Sequence, residues 1–181
     1  LLNHPDQRVR KLAQFELVVR GPNGKSILVE VSQSKEASLF SRLHALWGLG
    51  QLGRQGKGDN KALLGLLRDA EDEVRANAAR VTGDLRLEDA RDGLLSLLVD
   101  KSLRVRSLAA IALGRVCKRG DAEVIGSLYQ TAAANTSDFD VVLRHSCLSA
   151  LDHLETEENA AKKVTSSSVE ERLMAVLSLR R

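Results

Sequence analysis

The stretch that decides the fold reads DAEDEVRANAARVTG at residues 69–83. It returns 31 residues later as DKSLRVRSLAAIALG at residues 100–114, with an acidic residue, an arginine, an alanine and a glycine at matching positions. In both copies apolar residues recur at intervals of three and four, which is the spacing of an amphipathic helix. A segment that repeats with a period of this size is typical of proteins built from stacked helical units, each packed mainly on its neighbours.

The arginine of this stretch has counterparts along the whole chain, at spacings of 32, 33, 31, 38 and 28 residues. The six arginines are Arg10, Arg42, Arg75, Arg106, Arg144 and Arg172. A small residue stands three positions after each of them, and four positions before them stand Asp, Ser or Glu, of which Asp and Ser are good N-cap residues. Each arginine therefore lies near the start of the second helix, or B helix, of a helical pair. We expect the first helices, or A helices, in 26–35, 59–68, 88–99, 121–134 and 155–165, with an insertion at 134–138 explaining the longest spacing.

This pattern predicts an all-α fold, a right-handed α-solenoid of about six helical hairpins in which most of the first helix is missing. The expected repeats lie at about 1–20, 21–53, 54–87, 88–119, 120–155 and 156–181, in a single domain over 1–181. Ile27–Val31 alternates weakly at the period of a strand, but we assign it to a helix. The first four residues align with residues 66–69 at the end of an A helix, so we expect a segment cut from a longer protein.

The composition excludes few classes of function, and nothing in it suggests a cofactor. The 27 basic and 24 acidic residues are too evenly balanced to imply a polyanionic partner, and no apolar run is long enough to span a membrane. We expect Cys117 and Cys147 to be two buried thiols too far apart for a disulfide. His145 and His153 are two helical turns apart, too far to share one metal ion, so no metal site is predicted.

The two quoted stretches resemble HEAT repeats of the short, phycobilisome-lyase-like type, and the resemblance covers essentially the whole chain. It implies that each repeated arginine pairs with an acidic residue in the turn between A and B helices, of its own or the adjacent repeat. Asp69 with Arg75, and Asp100 with Arg106, have that spacing. We therefore interpret the six arginines and these two aspartates as a structural ladder and not as a phosphate-binding column. Loss of a partly buried arginine would leave its partner unpaired and would be costly.

A narrower resemblance rests on residues 4–15, HPDQRVRKLAQF, and 41–52, SRLHALWGLGQL. They look like the HEAT region of large planctomycete and verrucomicrobial proteins, which lies between a dehydrogenase-like β-propeller and a c-type cytochrome domain. That family implies an exported parent protein with haem, and so a periplasmic or exported location; otherwise we expect the cytoplasm. The chain itself contains no Cys-x-x-Cys-His motif, so any haem would belong to another part of the parent.

The candidate binding surface lies five residues after each arginine, at a position that points away from the buried face of the B helix. Its members of interest are Phe15, Trp47, Arg80 and Ile111, and we call them the +5 stripe. Phe, Trp and Arg are side chains that often dominate protein–protein binding energy. The alternative is that they pack against a neighbouring helix or domain.

Three functions follow. The leading hypothesis is a non-catalytic scaffold that binds a protein, or neighbouring domains of the same chain, within a larger parent protein, which the narrower resemblance implies to be an oxidoreductase. No nucleophile–base arrangement suggests an enzyme. The second is nucleic-acid binding, as in HEAT-like DNA glycosylases. It would use exposed basic residues, namely Arg8, Lys11, Arg54, Lys57, Arg80, Arg104, Arg115, Lys118 and Arg119. The third is a subunit resembling bilin lyases.

Overall fold

The computed structural model describes residues 1–134 and 140–179, and within these ranges it contains helices and turns but no strand. The predicted all-helical character is confirmed. The elements are α1 Gln7–Val19, α2 Pro22–Gln33, α3 Leu39–Arg54, α4 Asn60–Leu66, α5 Asp72–Asp84, a 3₁₀ turn Glu88–Ala90, α6 Arg91–Leu97, α7 Leu103–Val116, α8 Ala122–Ala133, α9 Val141–Leu154, α10 Glu157–Lys163 and α11 Val169–Ser178.

The A and B helices alternate as expected, with shifted ends. Ile27–Val31 lies inside α2, which begins at Pro22, four residues before the predicted start. Proline is favoured in the first turn of a helix because its missing N–H would have no partner there. The A helix expected over 88–99 starts with the 3₁₀ turn and becomes α-helical at Arg91. The predicted insertion at 134–138 falls almost wholly in 135–139, outside the described residues.

The residues expected to cap the B helices occupy the N-cap positions. Side-chain oxygens of Asp6, Ser38, Asp140 and Ser168 each accept a backbone N–H of the first turn, which satisfies a donor that the helix leaves free. Ser102 is an exception to the predicted capping, because its side chain makes no cap hydrogen bond. Its backbone N–H donates instead to Asp100 Oδ1 at 2.8 Å.

The helices group into two compact units, Leu1–Leu85 and Arg86–Arg181. In the first unit the B helices α1, α3 and α5 pack in sequence, α2 lies against α1 and α3, and α4 lies against α5 and α2. In the second unit α7 packs on α6 and α9, α8 packs on α9 and α11, and α10 packs on α11.

The small residue three positions after each arginine lies in the core, as its place on the helix predicts. Ala45, Ala78, Ala109, Cys147 and Ala175 are fully buried, and Ala13 nearly so.

The glycine eight positions after the arginine marks a close helix–helix contact. A Cβ at Gly50 would lie 2.9 Å from a Val81 methyl group, and one at Gly114 would lie 2.8 Å from Ala150 Cα. The absence of a side chain at Gly50 and Gly114 lets consecutive B helices approach closely.

Candidate functional site

Three of the repeated arginines close the turn between the A and B helices in the same way. Nη1 of Arg10, Arg75 and Arg172 donates to the carbonyl oxygens of the residues six and five positions earlier, at distances of 2.7–3.0 Å. For Arg75 and Arg172 these carbonyls belong to the turn that follows an A helix, where the helix itself supplies no donor. Each guanidinium therefore fixes the position of its B helix relative to the preceding turn.

Arg42 links two repeats. Its Nη2 donates to Asp69 Oδ2, and its Nε donates to the Ser32 carbonyl oxygen at 3.2 Å. The Arg42 side chain is 6% exposed and that of Asp69 is 15% exposed. The second carboxylate oxygen of Asp69 accepts the Glu71 N–H at 2.9 Å. Asp69 therefore joins Arg42 of the preceding repeat through its carboxylate and Arg75 of its own repeat through its backbone carbonyl.

The other members of the ladder lie in the second unit. Arg106 is half-buried, and its Nε has no hydrogen-bond partner among the described residues. Arg144 is half-buried near the start of α9. Asp100 accepts the N–H at the cap of α7 through Oδ1. The structural role of the whole ladder stays a prediction.

The +5 stripe occupies equivalent positions on consecutive B helices. In the first unit Phe15 on α1 is 40% exposed, Trp47 on α3 is half-buried and Arg80 on α5 is exposed. In the second unit Ile111 on α7 is half-buried. Because α1 packs on α3 and α3 on α5, the first three form a series across one face of the first unit.

Trp47 is held in place by polar contacts that the sequence pattern did not identify. Its Nε1 donates to Asn77 Oδ1 at 3.0 Å, and the Asn77 amide in turn donates to the Glu73 carbonyl oxygen at 2.8 Å. The His44 ring meets the indole edge-on, with centroids 5.0 Å apart. Asn77 stands two residues after Arg75, at a position that is polar in three of the six repeats, as His44, Asn77 and Ser146, so the repeat pattern gave no signal for this contact. The indole is thus fixed before any partner arrives, which lowers the entropy cost of binding.

Phe15 lies beside a shallow groove of about 380 Å³ between the ends of α1 and α3. The groove is lined by Phe15, Val18, Val19, Gln51, Arg54 and Gln55. Lys11 Nζ lies 5.6 Å from the centre of the Phe15 ring, a cation–π distance. This part of the surface therefore combines exposed aromatic and aliphatic groups with positive charge.

His44 links the stripe to the core. Its Nδ1 lies 2.8 Å from Gln14 Oε1, and burial, together with the charge of Arg10, lowers the pKa of His44 below its ordinary value of 6.5. Both effects disfavour the imidazolium form. The neutral ring is therefore the stable form that supports Trp47.

The cysteines and histidines form no reactive or metal-binding centre in the part of the chain that the structure describes. Cys147 is buried as expected, but Cys117 is only half-buried, because it lies at the C-terminal cap of α7, where the backbone leaves the helix. Burial raises the pKa of Cys117 to about 11 and that of Cys147 to about 12, so both stay protonated. His153 Nδ1 contacts the Ser149 carbonyl oxygen, and no group of three or more described metal-ligating side chains could hold a metal ion.

The basic residues considered for nucleic-acid binding are exposed, but several are already engaged. Arg8 forms an ion pair with Asp6 at 2.6 Å, Lys11 lies over Phe15, and Arg119 Nε donates to a backbone carbonyl. Most of them lie at helix ends or in turns, whereas Lys11 and Arg80 lie within α1 and α5.

Residues 60–152, just over half of the 181-residue chain, match the family model of HEAT repeats. The chain belongs to the HEAT-repeat family. HEAT repeats form helical scaffolds that usually bind proteins and are typically not catalytic. No curated protein matches the chain.

Solved structures agree with this family at the level of the fold. A designed armadillo repeat protein is 18% identical, with a TM-score of 0.60 and coverage of 98% of this chain and 95% of that chain. A second, in complex with the peptide (KR)4, is also 18% identical, with a TM-score of 0.56 and coverage of 98% and 95%. A chain of the Kap95p–RanGDP complex is 15% identical, with a TM-score of 0.54 over 97% of this chain and 26% of that chain.

These comparisons confirm the predicted α-solenoid fold. They do not show the narrower resemblance to propeller–cytochrome proteins, which stays a prediction. Among the described helices, none has the length and apolar character needed to cross a membrane.

Proposed function

We propose that this HEAT-repeat chain is a non-catalytic scaffold that binds a protein, or another domain of its own chain, through the +5 stripe. The observation that carries the proposal is the fixed position of the Trp47 side chain. Its indole is half-buried, its N–H is bound to Asn77, and its neighbours in the stripe are the exposed Phe15 and Arg80. A fixed aromatic anchor flanked by an exposed Phe and Arg has the composition of a binding hot spot.

The ladder supports this assignment by accounting for the repeated arginines. Arg42 is engaged by Asp69 and Ser32, and Arg10, Arg75 and Arg172 donate to turn carbonyls. Guanidinium groups used in this way are poor candidates for a phosphate-binding column. The residues that vary between repeats are therefore the better candidates for partner recognition.

A non-catalytic role fits the chemistry of the described residues. Both thiols are held protonated by burial, and His44 is buried beside Gln14 and Trp47 without an adjacent nucleophile. Catalysis by covalent attack requires an activated nucleophile within reach of a base.

Nucleic-acid binding remains the second candidate, because the chain carries a net charge of +3 and exposed basic residues on both units. It is tested by titrating a labelled DNA duplex at increasing salt. Binding through several phosphates would weaken steeply with the logarithm of the salt concentration. We expect only weak binding that does not depend on the +5 stripe. The bilin-lyase-like alternative predicts a change in bilin absorbance on mixing, which we do not expect.

The proposal is tested by placing a photo-crosslinking phenylalanine analogue at Phe15 of the full-length protein in its own cells. Phe15 is the right position because the analogue replaces an exposed aromatic ring. The expected result is one recurrent crosslinked protein or domain, lost when the exposed Arg80 is changed to Glu. The matched control carries the analogue at Val99, which is 84% exposed and lies outside the stripe. Equal crosslinking from both positions, or no effect of Arg80→Glu, would exclude the stripe as the binding surface.

We further propose that the scaffold acts inside a larger, exported protein with a haem or dehydrogenase-like part. The resemblance of residues 4–15 and 41–52 to the propeller–cytochrome family supports this. Sequencing the flanking coding region tests it: a propeller before the segment and a Cys-x-x-Cys-His motif after it are expected. An uninterrupted array of helical repeats on both sides would contradict it.

A further inference from the structure

The groove of about 380 Å³ beside Phe15 lies between two B helices of the same unit, α1 and α3. Phe15 and Val19 line its α1 side and are 40% and 81% exposed. Their counterparts in α5 are Arg80 and Asp84, which are also exposed although α3 packs beside that helix. Exposure at these two positions is therefore a property of the repeat and does not depend on α1 being the first helix.

The α3 side of the groove is polar and consists of Gln51, Arg54 and Gln55. Gln51 Oε1 is shielded from solvent and has no hydrogen-bond partner among the described residues. A shielded carbonyl oxygen normally accepts a hydrogen bond, so this one lacks a donor. An N–H group of a chain segment bound in the groove would supply it.

The charge at the groove is positive. Arg54 alone is charged among the six described residues that line it, and both Arg54 and Lys57 in the following turn are exposed. The C-terminal carbonyl groups of α1 and α3 carry about half a negative charge per helix, which these two full charges exceed. The excess extends over the unit, since residues 1–85 contain 13 basic and 10 acidic residues, whereas residues 86–181 contain 14 of each.

The acidic side chains nearest to the groove along the chain are already engaged. Glu16 pairs with Arg20 at 3.0 Å, and Asp59 Oδ1 accepts the Ala62 N–H at 2.9 Å to cap α4. The groove therefore combines apolar surface, an acceptor without a donor and positive charge, with no carboxylate in its lining.

We propose that the partner of the +5 stripe presents an acidic segment to this groove, with an apolar side chain against Phe15 and Val19 and a carboxylate beside Arg54. Charge complementarity selects the occupant, because a basic segment would be repelled. One arginine beside aromatic and aliphatic groups suits a peptide better than a phosphate backbone, which is bound by several basic side chains. The inference rests on the proposed function, since Phe15 is the member of the stripe that borders the groove.

The first test identifies the peptide that crosslinks to the phenylalanine analogue at Phe15, by mass spectrometry of the protein taken from its own cells. We expect a partner peptide with an excess of Asp and Glu and an apolar residue at the crosslinked position. A basic or neutral peptide would overturn the inference and leave the stripe as the binding surface. Crosslinking to nucleic acid, or crosslinking no stronger than from Val99, would overturn the proposed function as well.

The second test measures the affinity of a fluorescent copy of that peptide for the purified 181-residue chain by fluorescence anisotropy. We expect saturable binding that Arg54→Glu weakens at least about tenfold and Arg54→Gln weakens less. The matched control is Arg68→Glu, which makes the same change of net charge at an exposed position outside the groove lining and should weaken binding less than about twofold. Absence of saturable binding, unchanged affinity of Arg54→Glu, or equal weakening by Arg54→Glu and Arg68→Glu would each overturn the inference.

Discussion

Breaking the link between Arg42 and Asp69 should be among the most damaging single changes in the first unit. Arg42→Met keeps an unbranched apolar stem but removes the guanidinium and its hydrogen bonds to Asp69 and Ser32. Removing one partner of a buried ion pair costs about 3–5 kcal/mol. Asp69 retains one hydrogen bond, to the Glu71 N–H, and its side chain is 15% exposed, so the lower end of that range applies. A loss of about 3 kcal/mol is a large fraction of the stability of an ordinary domain.

A double-mutant cycle separates the pair from its surroundings. Asp69→Asn keeps the shape of the side chain but removes its charge, and we expect a smaller loss, about 1–3 kcal/mol. The double variant should lose less than the sum of the two, with a coupling of about 1–3 kcal/mol. Equilibrium urea unfolding followed by the fluorescence of Trp47, the single tryptophan of the chain, reports on the first unit directly.

The matched control is Arg20→Met. Arg20 pairs with Glu16 at 3.0 Å, but both side chains are 59% exposed. Exposed pairs of this kind contribute about 0–1 kcal/mol. If Arg42→Met lowers the free energy of unfolding no more than Arg20→Met does, the ladder does not hold the repeats together. The same conclusion follows if Arg42→Met lowers it equally in the wild-type and the Asp69→Asn backgrounds.

Three further predictions concern packing, pH and thiol chemistry. Gly114→Ala should destabilise the second unit by about 1–3 kcal/mol, because the new Cβ would lie against the Ala150 backbone. Gly126→Ala, which has open space around it, should stabilise the same unit by about 0.5–1 kcal/mol. Urea unfolding distinguishes the two variants, and equal effects would contradict the close contact between Gly114 and Ala150. Because the pKa of His44 is lowered in the folded chain, its contribution to the free energy of unfolding should be fully present above pH 6.5, the ordinary pKa of histidine, and should be lost as the pH falls through the folded pKa. His44→Gln should reduce this pH dependence of the free energy of unfolding, and an unchanged dependence would exclude His44 as its source. In native protein at mildly alkaline pH a thiol reagent should modify Cys117 slowly and Cys147 only after unfolding, as followed by mass spectrometry; faster modification of Cys147 would contradict the packing of α9.

The helices and the inward positions of the fold were predictable because they depend on spacing within one helix. Ala45 and Cys147 are buried because the position three residues after the arginine lies on the inner face of the B helix, and this position can be read from the sequence. The N-caps were predictable for the same reason, since Asp6 and Ser38 bond to backbone groups two or three residues away.

The contacts of the candidate site could not be predicted in the same way. The spacing of Arg75 does not show that its Nη1 donates to the backbone carbonyls of the turn. The bond from Trp47 to Asn77 joins two repeats, so it depends on how consecutive B helices are rotated. Cys117 was expected in the core because it continues the helical pattern, but α7 ends one residue before it.

The central claim is that the repeated arginines are buried contacts within the scaffold, whereas the +5 stripe binds the partner. Phenylglyoxal footprinting tests it directly, comparing the purified 181-residue chain with the protein in intact cells. Arg42 and Arg75 are buried and Arg80 is exposed, so we predict that the first two resist modification in both states. Arg80 should react in the isolated chain and become protected in the cell. Modification of Arg42 as fast as that of Arg80, or equal reactivity of Arg80 in both states, would contradict the account.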